Sequence, residues 1–176
     1  MSSLLIIGGS GFFGKSILDA YKRKLLSSWK IDNIVMMSRD PYKLSQQHPE
    51  LISDGVEFFV GDISTIDYLP SADYVIHAAA SSNALRYLTH NKEEKKNIIR
   101  GMVNYCRLAP KFHKESRIVF CSSGAVYGYQ PVYVKYLDED ISFSNFNVLN
   151  EAKKSYAYAK RDAEFAIQKL GHSGLK

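Results

Sequence analysis

Tyr156 and Lys160 stand four residues apart in Ser155-Tyr156-Ala157-Tyr158-Ala159-Lys160, so a helix would stack them on one face. An ammonium held beside a phenol lowers the phenol's pKa, and its oxygen can then give or take a proton nearer neutrality. Pairs of this spacing also arise by chance in helices. Ser122 and Ser123 close the apolar run Arg117–Cys121, where hydroxyls at a strand's carboxyl end can hydrogen-bond a substrate oxygen. The third chemical element opens the chain. Gly8-Gly9-Ser10-Gly11-Phe12-Phe13-Gly14-Lys15-Ser16 follows the apolar Leu4–Ile7, and a glycine-rich turn into a helix offers unpaired N–H groups to a phosphate. Two phosphate loops fit it. Gly8, Gly11 and Gly14 spell G-x-x-G-x-x-G, a dinucleotide loop, while Gly9 to Ser16 spell G-x-x-x-x-G-K-S, a triphosphatase loop. On the first reading Lys15 is an ordinary first-turn surface lysine, and at least one of Phe12 and Phe13 packs on the sheet. The second needs an acid at the end of another apolar strand to hold magnesium; Asp62, after Gly61 and a broken apolar run, suits that role poorly.

These residues must be held by a framework of alternating elements. Apolar runs at Leu4–Ile7, Ile34–Met37, Val56–Val60, Tyr74–His77 and Arg117–Cys121 are rich in Ile, Val and Phe and lack polar alternation. Strands apolar on both sides belong in a parallel sheet covered above and below. Helical stretches lie between and after them, at about Gly14–Ser27, Glu93–Leu108 and Glu151–Leu170. The alternation predicts an α/β fold, a doubly wound parallel sheet in three α/β/α layers. Ligands of such sheets sit outside the strands' carboxyl ends, where strand order reverses. The irregular stretch from about Tyr127 to Asn150 is long enough to be functional and is expected near the site.

At 176 residues the chain suits one domain, residues 1–176. Its 23 basic and 18 acidic residues leave a formal charge of +5, spread without a continuous basic stripe. That charge favours phosphorylated ligands and gives no reason to expect nucleic acid. Lys92 to Lys96, interrupted by Glu93 and Glu94, reads as a solvated helix face. Cys106 and Cys121 read as buried, reduced thiols. His48, His77, His90, His113 and His172 lack metal-ligand spacing, so no metal is expected. No run approaches a membrane span and the amino terminus lacks a basic region, so a cytoplasmic location is expected.

Taken together, these segments resemble the extended short-chain dehydrogenase/reductases, in the nucleotide-sugar epimerase/dehydratase branch. Gly8 to Gly14 resembles that family's cofactor loop, Val60-Gly61-Asp62-Ile63 its adenine-side element, and His77-Ala78-Ala79-Ala80 the segment passing the nicotinamide ribose. Ser122 to Gly128 is similar to its catalytic strand end, with Ser123 in the reacting position, and Tyr156 and Lys160 match its catalytic pair. The resemblance implies a Rossmann fold and catalysis by Ser123, Tyr156 and Lys160. It also implies a cofactor held by Gly8, Ser10, Gly11, Phe12, Phe13, Gly14, Arg39, Asp62, Ile63, Ala78, Ala79, Ala80, Tyr156 and Lys160. The family often has an asparagine where this chain has Ile98; Asn97 is one step away. NAD-using members carry an acid after the second strand, but here the sequence runs Met36-Met37-Ser38-Arg39-Asp40. An arginine there suits a 2′-phosphate, so NADP(H) is favoured over NAD(H), with Asp40 the residue that could reverse the preference. The resemblance further implies a nucleotide-sugar substrate, a homodimer pairing the long helices, and a substrate region lying beyond Lys176. A non-catalytic NADP-binding sensor or scaffold is the alternative from another functional class.

Overall fold

Residues 2–80, 84–141, 144, 146–172 and 174 are described by a computed structural model. The apolar runs form five strands: β1 (Ser2–Ile7), β2 (Ile31–Ser38), β3 (Val56–Val60), β4 (Tyr74–His77) and β5 (Arg117–Phe120). All pair in parallel, in the order β3-β2-β1-β4-β5. The chain winds outward from β1 to β3 and then returns to lay β4 on the other side of β1. Strand order reverses there, and the carboxyl ends of β1 and β4 open a crevice.

The reason for burial on both faces is visible in β1. Leu5 and Ile7 point into one apolar cluster while Leu4 and Ile6 point into another, and none of the four exceeds 2% exposure. The first cluster is roofed by α4 (Asn91–Phe112) and α5 (Glu151–His172), through Met102, Tyr105, Leu108, Ala159 and Ala163. The second is roofed by α1 (Phe12–Lys22) and α2 (Pro41–Gln47), through Leu18 and Leu44. The edge strands depart from the expectation of apolar cover throughout. Glu57 and Val60 on β3 and Arg117 and Val119 on β5 face solvent, because an edge lies beyond the helices' reach.

Two helix ends and two further helices also differ from the sequence reading. Helix α1 stops at Lys22 rather than Ser27, where Lys24 turns left-handed (φ 58°). Helix α4 runs past Leu108 to Phe112 with Pro110 inside its last turn; Ala109 is fully buried and holds that turn in place. Helix α2 and α3 (Ala84–Thr89) were not foreseen. In α2 a single buried leucine carries the packing, too weak a pattern to read. Its start depends on local chemistry, with Pro41 opening the helix and the Asp40 carboxylate accepting the Lys43 N–H at 3.0 Å.

Candidate active site

The glycine loop is shaped by close approach. The N–H groups of Gly8 and Gly9 both donate to the Met37 carbonyl, at 3.0 and 2.9 Å, which turns the chain off β1. Gly8 has φ +90°, and a Cβ there would lie 2.8 Å from the Ala79 backbone, so only glycine lets the loop lean on the end of β4. A Cβ at Gly14 would overlap the Gly9 carbonyl oxygen, so its absence lets α1 start against the loop. The first hydrogen bond of α1 runs from the Lys15 N–H to the Gly11 carbonyl at 3.0 Å. Helix geometry leaves the N–H groups between them without intrahelical partners, available to an anion. Neither phenylalanine packs on the sheet as expected. Phe12 is 72% and Phe13 51% exposed, and the rings meet edge-on at 5.5 Å, because the first turn projects beyond the strand ends. Lys15 is not an idle surface lysine either: its Nζ lies 3.1 Å from Nε2 of His48.

Gly8, Ser10, Gly11, Arg39, Asp62, Ile63, Ala78, Ala79 and Ala80 line one crevice of about 290 Å³. Phe12, Phe13, Gly14, Ser123, Tyr156 and Lys160 are not part of its lining. Partial burial of Asp62 pushes its pKa up, but the N–H and hydroxyl of Ser64, donating at 2.9 and 2.8 Å, and the Arg39 charge outweigh that. The carboxyl is held below its usual range. The loop carrying Asp62 is pinned by α4, whose Asn104 donates to the carbonyls of Ile63 and Ile66, each at 2.8 Å. Ile98 faces the core at 6% exposure while also reaching the crevice, and Asn97 lines the crevice beside it.

Ser38, Ser64, Arg86, Glu94 and Asn97 also line this crevice and were missed. Glu94 corrects the reading of a solvated face. It is 3% exposed, and its carboxylate accepts from Arg86 Nε at 2.6 Å. No sequence pattern marks that pair, because Arg86 comes from α3 and folds back on the first turn of α4. Cys106 and Cys121 are free thiols, partly rather than fully buried.

The expected catalytic residues gather where α5 meets the segment after β5. Lys160 is 3% exposed and donates to the Cys121 carbonyl at 2.8 Å, with its ammonium 4.9 Å from the Phe120 ring. Burial lowers its pKa to about 8, against the opposing influence of Cys121 and Glu164. The next residue, Arg161, donates from Nε to the Val126 carbonyl at 3.2 Å. Ser123 lies between those two tethered carbonyls. It caps the short helical turn Gly124–Tyr127, its Oγ accepting from the Ala125 N–H at 3.2 Å, which leaves the hydroxyl proton to donate. Tyr156 sits one turn before Lys160, its ring edge-on to Tyr87 of α3 at 4.6 Å. Burial, then Tyr156 and Glu94, push the Tyr87 phenol well above its ordinary pKa. Beneath them His77 is 2% exposed, with neither ring nitrogen partnered among the described residues; burial and the Lys160 charge lower its pKa to about 4. The long stretch after Tyr127 is anchored back to α5, where Phe146 is buried under the Arg161 guanidinium at 3.9 Å.

Residues 4–175 match the family model described as the NAD dependent epimerase/dehydratase family. The chain belongs to that family. Over 130 residues it is 31% identical to a UDP-glucose 4-epimerase of Rickettsia bellii, covering 71% of this chain and 38% of the relative. Over 82 residues it is 37% identical to a UDP-N-acetylglucosamine 4,6-dehydratase (inverting) of Campylobacter jejuni, covering 44% of this chain and 23% of the relative. The chain therefore spans well under half the length of these curated relatives. Among solved structures, its fold superposes on a dTDP-glucose 4,6-dehydratase from Streptomyces venezuelae with NAD bound. The TM-score is 0.78 at 18% identity, over 97% of this chain and 52% of that one. Among the described residues of this family member, no helix is long and apolar enough to cross a membrane.

Proposed function

We propose that this epimerase/dehydratase family member transforms a nucleotide sugar, or a related hydroxyl or ketone substrate, by hydride transfer with an NAD(P) dinucleotide in the crevice. The supporting observation is the double tether of α5, Lys160 to Cys121 and Arg161 to Val126, which holds Ser123 against the helix carrying Tyr156 and Lys160. The approach of Gly8 to Ala79 and the open first turn of α1 fit a pyrophosphate. An NAD(P) bound there would supply the hydride acceptor and donor at its nicotinamide ring. Tyr156, as phenolate, takes the proton from the substrate hydroxyl. The Lys160 ammonium favours that phenolate and would hold the nicotinamide ribose by donating to it. The Ser123 hydroxyl donates to the reacting oxygen.

NADP(H) is favoured over NAD(H), since Arg39 lines the crevice and the acid beside it, Asp40, is engaged in capping α2. The cofactor part of this reading is tested by titrating the purified protein with NADPH, NADH and Mg-ATP, followed by fluorescence. NADPH should bind tightest and Mg-ATP not at all; an ATP response without dinucleotide binding would overturn it. In turnover assays on sugar nucleotides, Tyr156→Phe should abolish activity while leaving NADPH affinity nearly unchanged. Retained turnover would remove Tyr156 from its role. We also infer a homodimer through the outer faces of α4 and α5, where Val103 is 58% and Phe165 47% exposed. Sedimentation should show a dimer that Val103→Lys with Phe165→Lys turns to monomer.

A further inference from the structure

Helix α3 is six residues long, too short to hold itself together in water, so it is kept in place by what it touches. Its Leu85 and Leu88 are 66% and 63% exposed, so neither anchors it. Arg86 and Tyr87 do. Arg86 donates from Nε to the buried Glu94 carboxylate at 2.6 Å, and its Nη2 lies 3.8 Å from Glu93. Tyr87 is partly buried against the apolar cluster that α4 and α5 roof. The link from α3 to α4 is short and bonded at both ends. The His90 N–H donates to the Arg86 carbonyl at 2.7 Å, and the His90 carbonyl accepts the Glu94 N–H at 3.0 Å. Arg86 and Glu94 line the crevice, while Tyr87 stands outside its lining and meets α5 instead.

What Tyr87 meets there is the ring of Tyr156, with centroids 4.6 Å apart and planes at 63°. Edge-on aromatic pairs are directional, because the positive rim of one ring seeks the negative face of the other. That direction bears on Tyr156. A helix restricts the first torsion of its own tyrosine, but the torsion that turns the ring plane is broad and two-fold. The phenol O–H lies in the ring plane, so this second torsion sets the direction in which a proton is given or taken. Lys160, one turn on, is committed to the Cys121 carbonyl at 2.8 Å, so the plane of the Tyr156 ring is set from another element. Tyr87 supplies that neighbour without competing for the proton. Burial, then Tyr156 and Glu94, push its phenol pKa up, and it stays neutral while it packs.

We propose that Tyr87 is a positioning residue, whose ring, held on α3 by the Arg86–Glu94 pair, fixes the plane of the Tyr156 ring and so the direction of its proton transfer. The inference rests on Tyr156 being the proton acceptor of the proposed reaction. Fluorine NMR of the full chain labelled with 3-fluorotyrosine tests it, the Tyr156 signal being the one lost in Tyr156→Phe. In the unsubstituted protein, slow flipping of a held ring should split or broaden that signal. Tyr87→Leu, which keeps an apolar side chain in place, should collapse it to one narrow line. Tyr87→Phe should keep the parent's line shape, and Arg86→Met should narrow the line partway. An unchanged Tyr156 line in Tyr87→Leu, or a Tyr87→Phe line just as narrow, would refute the role. The other tyrosine signals report the fold. If Tyr87→Leu does not fold, Arg86→Met decides, and an unchanged line there refutes the proposal. In turnover assays on sugar nucleotides, Tyr87→Leu should lower kcat about tenfold with KM within about twofold. Tyr87→Phe should recover most of that rate. A loss confined to KM would make Tyr87 a binding residue and overturn the proposal. Absence of turnover in the unsubstituted protein would instead overturn the reading of Tyr156 as proton acceptor, a failure that the fluorine line shape separates from this one.

Discussion

Lys160 and His77 show what burial does to a single ionisable group. The pKa of Lys160 falls from 10.5 to about 8 on folding, mainly by desolvation. Between those values the unfolded chain binds more protons than the folded one, so stability rises with pH across that window. The full effect is on the order of 3 kcal/mol, at about 1.4 kcal/mol per unit. Urea unfolding of the parent between pH 7.5 and 9.5 should show the upward slope, and Lys160→Met should flatten it. His77 behaves likewise at lower pH. Its pKa falls from 6.5 to about 4, so its share of stability is lost as pH drops through that range, and His77→Leu should shallow the acid limb. Glu94 is the opposite case, a buried carboxylate paired with a half-exposed arginine. Arg86→Met should destabilise the fold by orphaning a buried acceptor, and Glu94→Gln in the same chain should recover most of the loss. A thermal-unfolding double-mutant cycle reads the coupling.

Secondary elements reach the site through contacts made at their ends. Gly14 sets how closely α1 starts against the loop, because any Cβ there would meet the Gly9 carbonyl. Gly14→Ala should destabilise the fold by about 1–3 kcal/mol and weaken dinucleotide binding, both measurable by thermal shift with and without NADPH. Helix α2 depends on one cap. Asp40→Ala should cost about 1 kcal/mol and loosen the first turn of that helix, which carries Lys43. From the other side, α4 holds the Asp62–Ile63 loop through Asn104, which donates to the carbonyls of Ile63 and Ile66. Its long helix was readable; that anchoring role was not, because Asn104 and Ile63 are far apart in sequence.

Across the sheet, protection should follow burial. β1 lies between β2 and β4 with Leu4–Ile7 covered on both faces, whereas β3 and β5 are edges carrying exposed Val60 and Val119. Hydrogen exchange should therefore be slowest in β1, with β3 and β5 opening earlier. Equal rates across all five strands would contradict that ordering.

Local pattern was enough for much of this. Apolar runs bounded by turn residues are signals spanning only a few positions, so the five strands, the α/β class and the crevice's glycine loop were legible. So were Tyr156 and Lys160, since their spacing and their helix are both local. Ser123 was legible at its strand end. Folding alone could place Glu94 under Arg86, set Asn104 on the Ile63 carbonyl and turn Phe12 and Phe13 outward, because each outcome depends on which distant surface arrives opposite. The same holds for Lys15. In the chain it completes a phosphate-loop string and looks incidental; only when the end of α2 arrives beside α1 does His48 give its charge a direction.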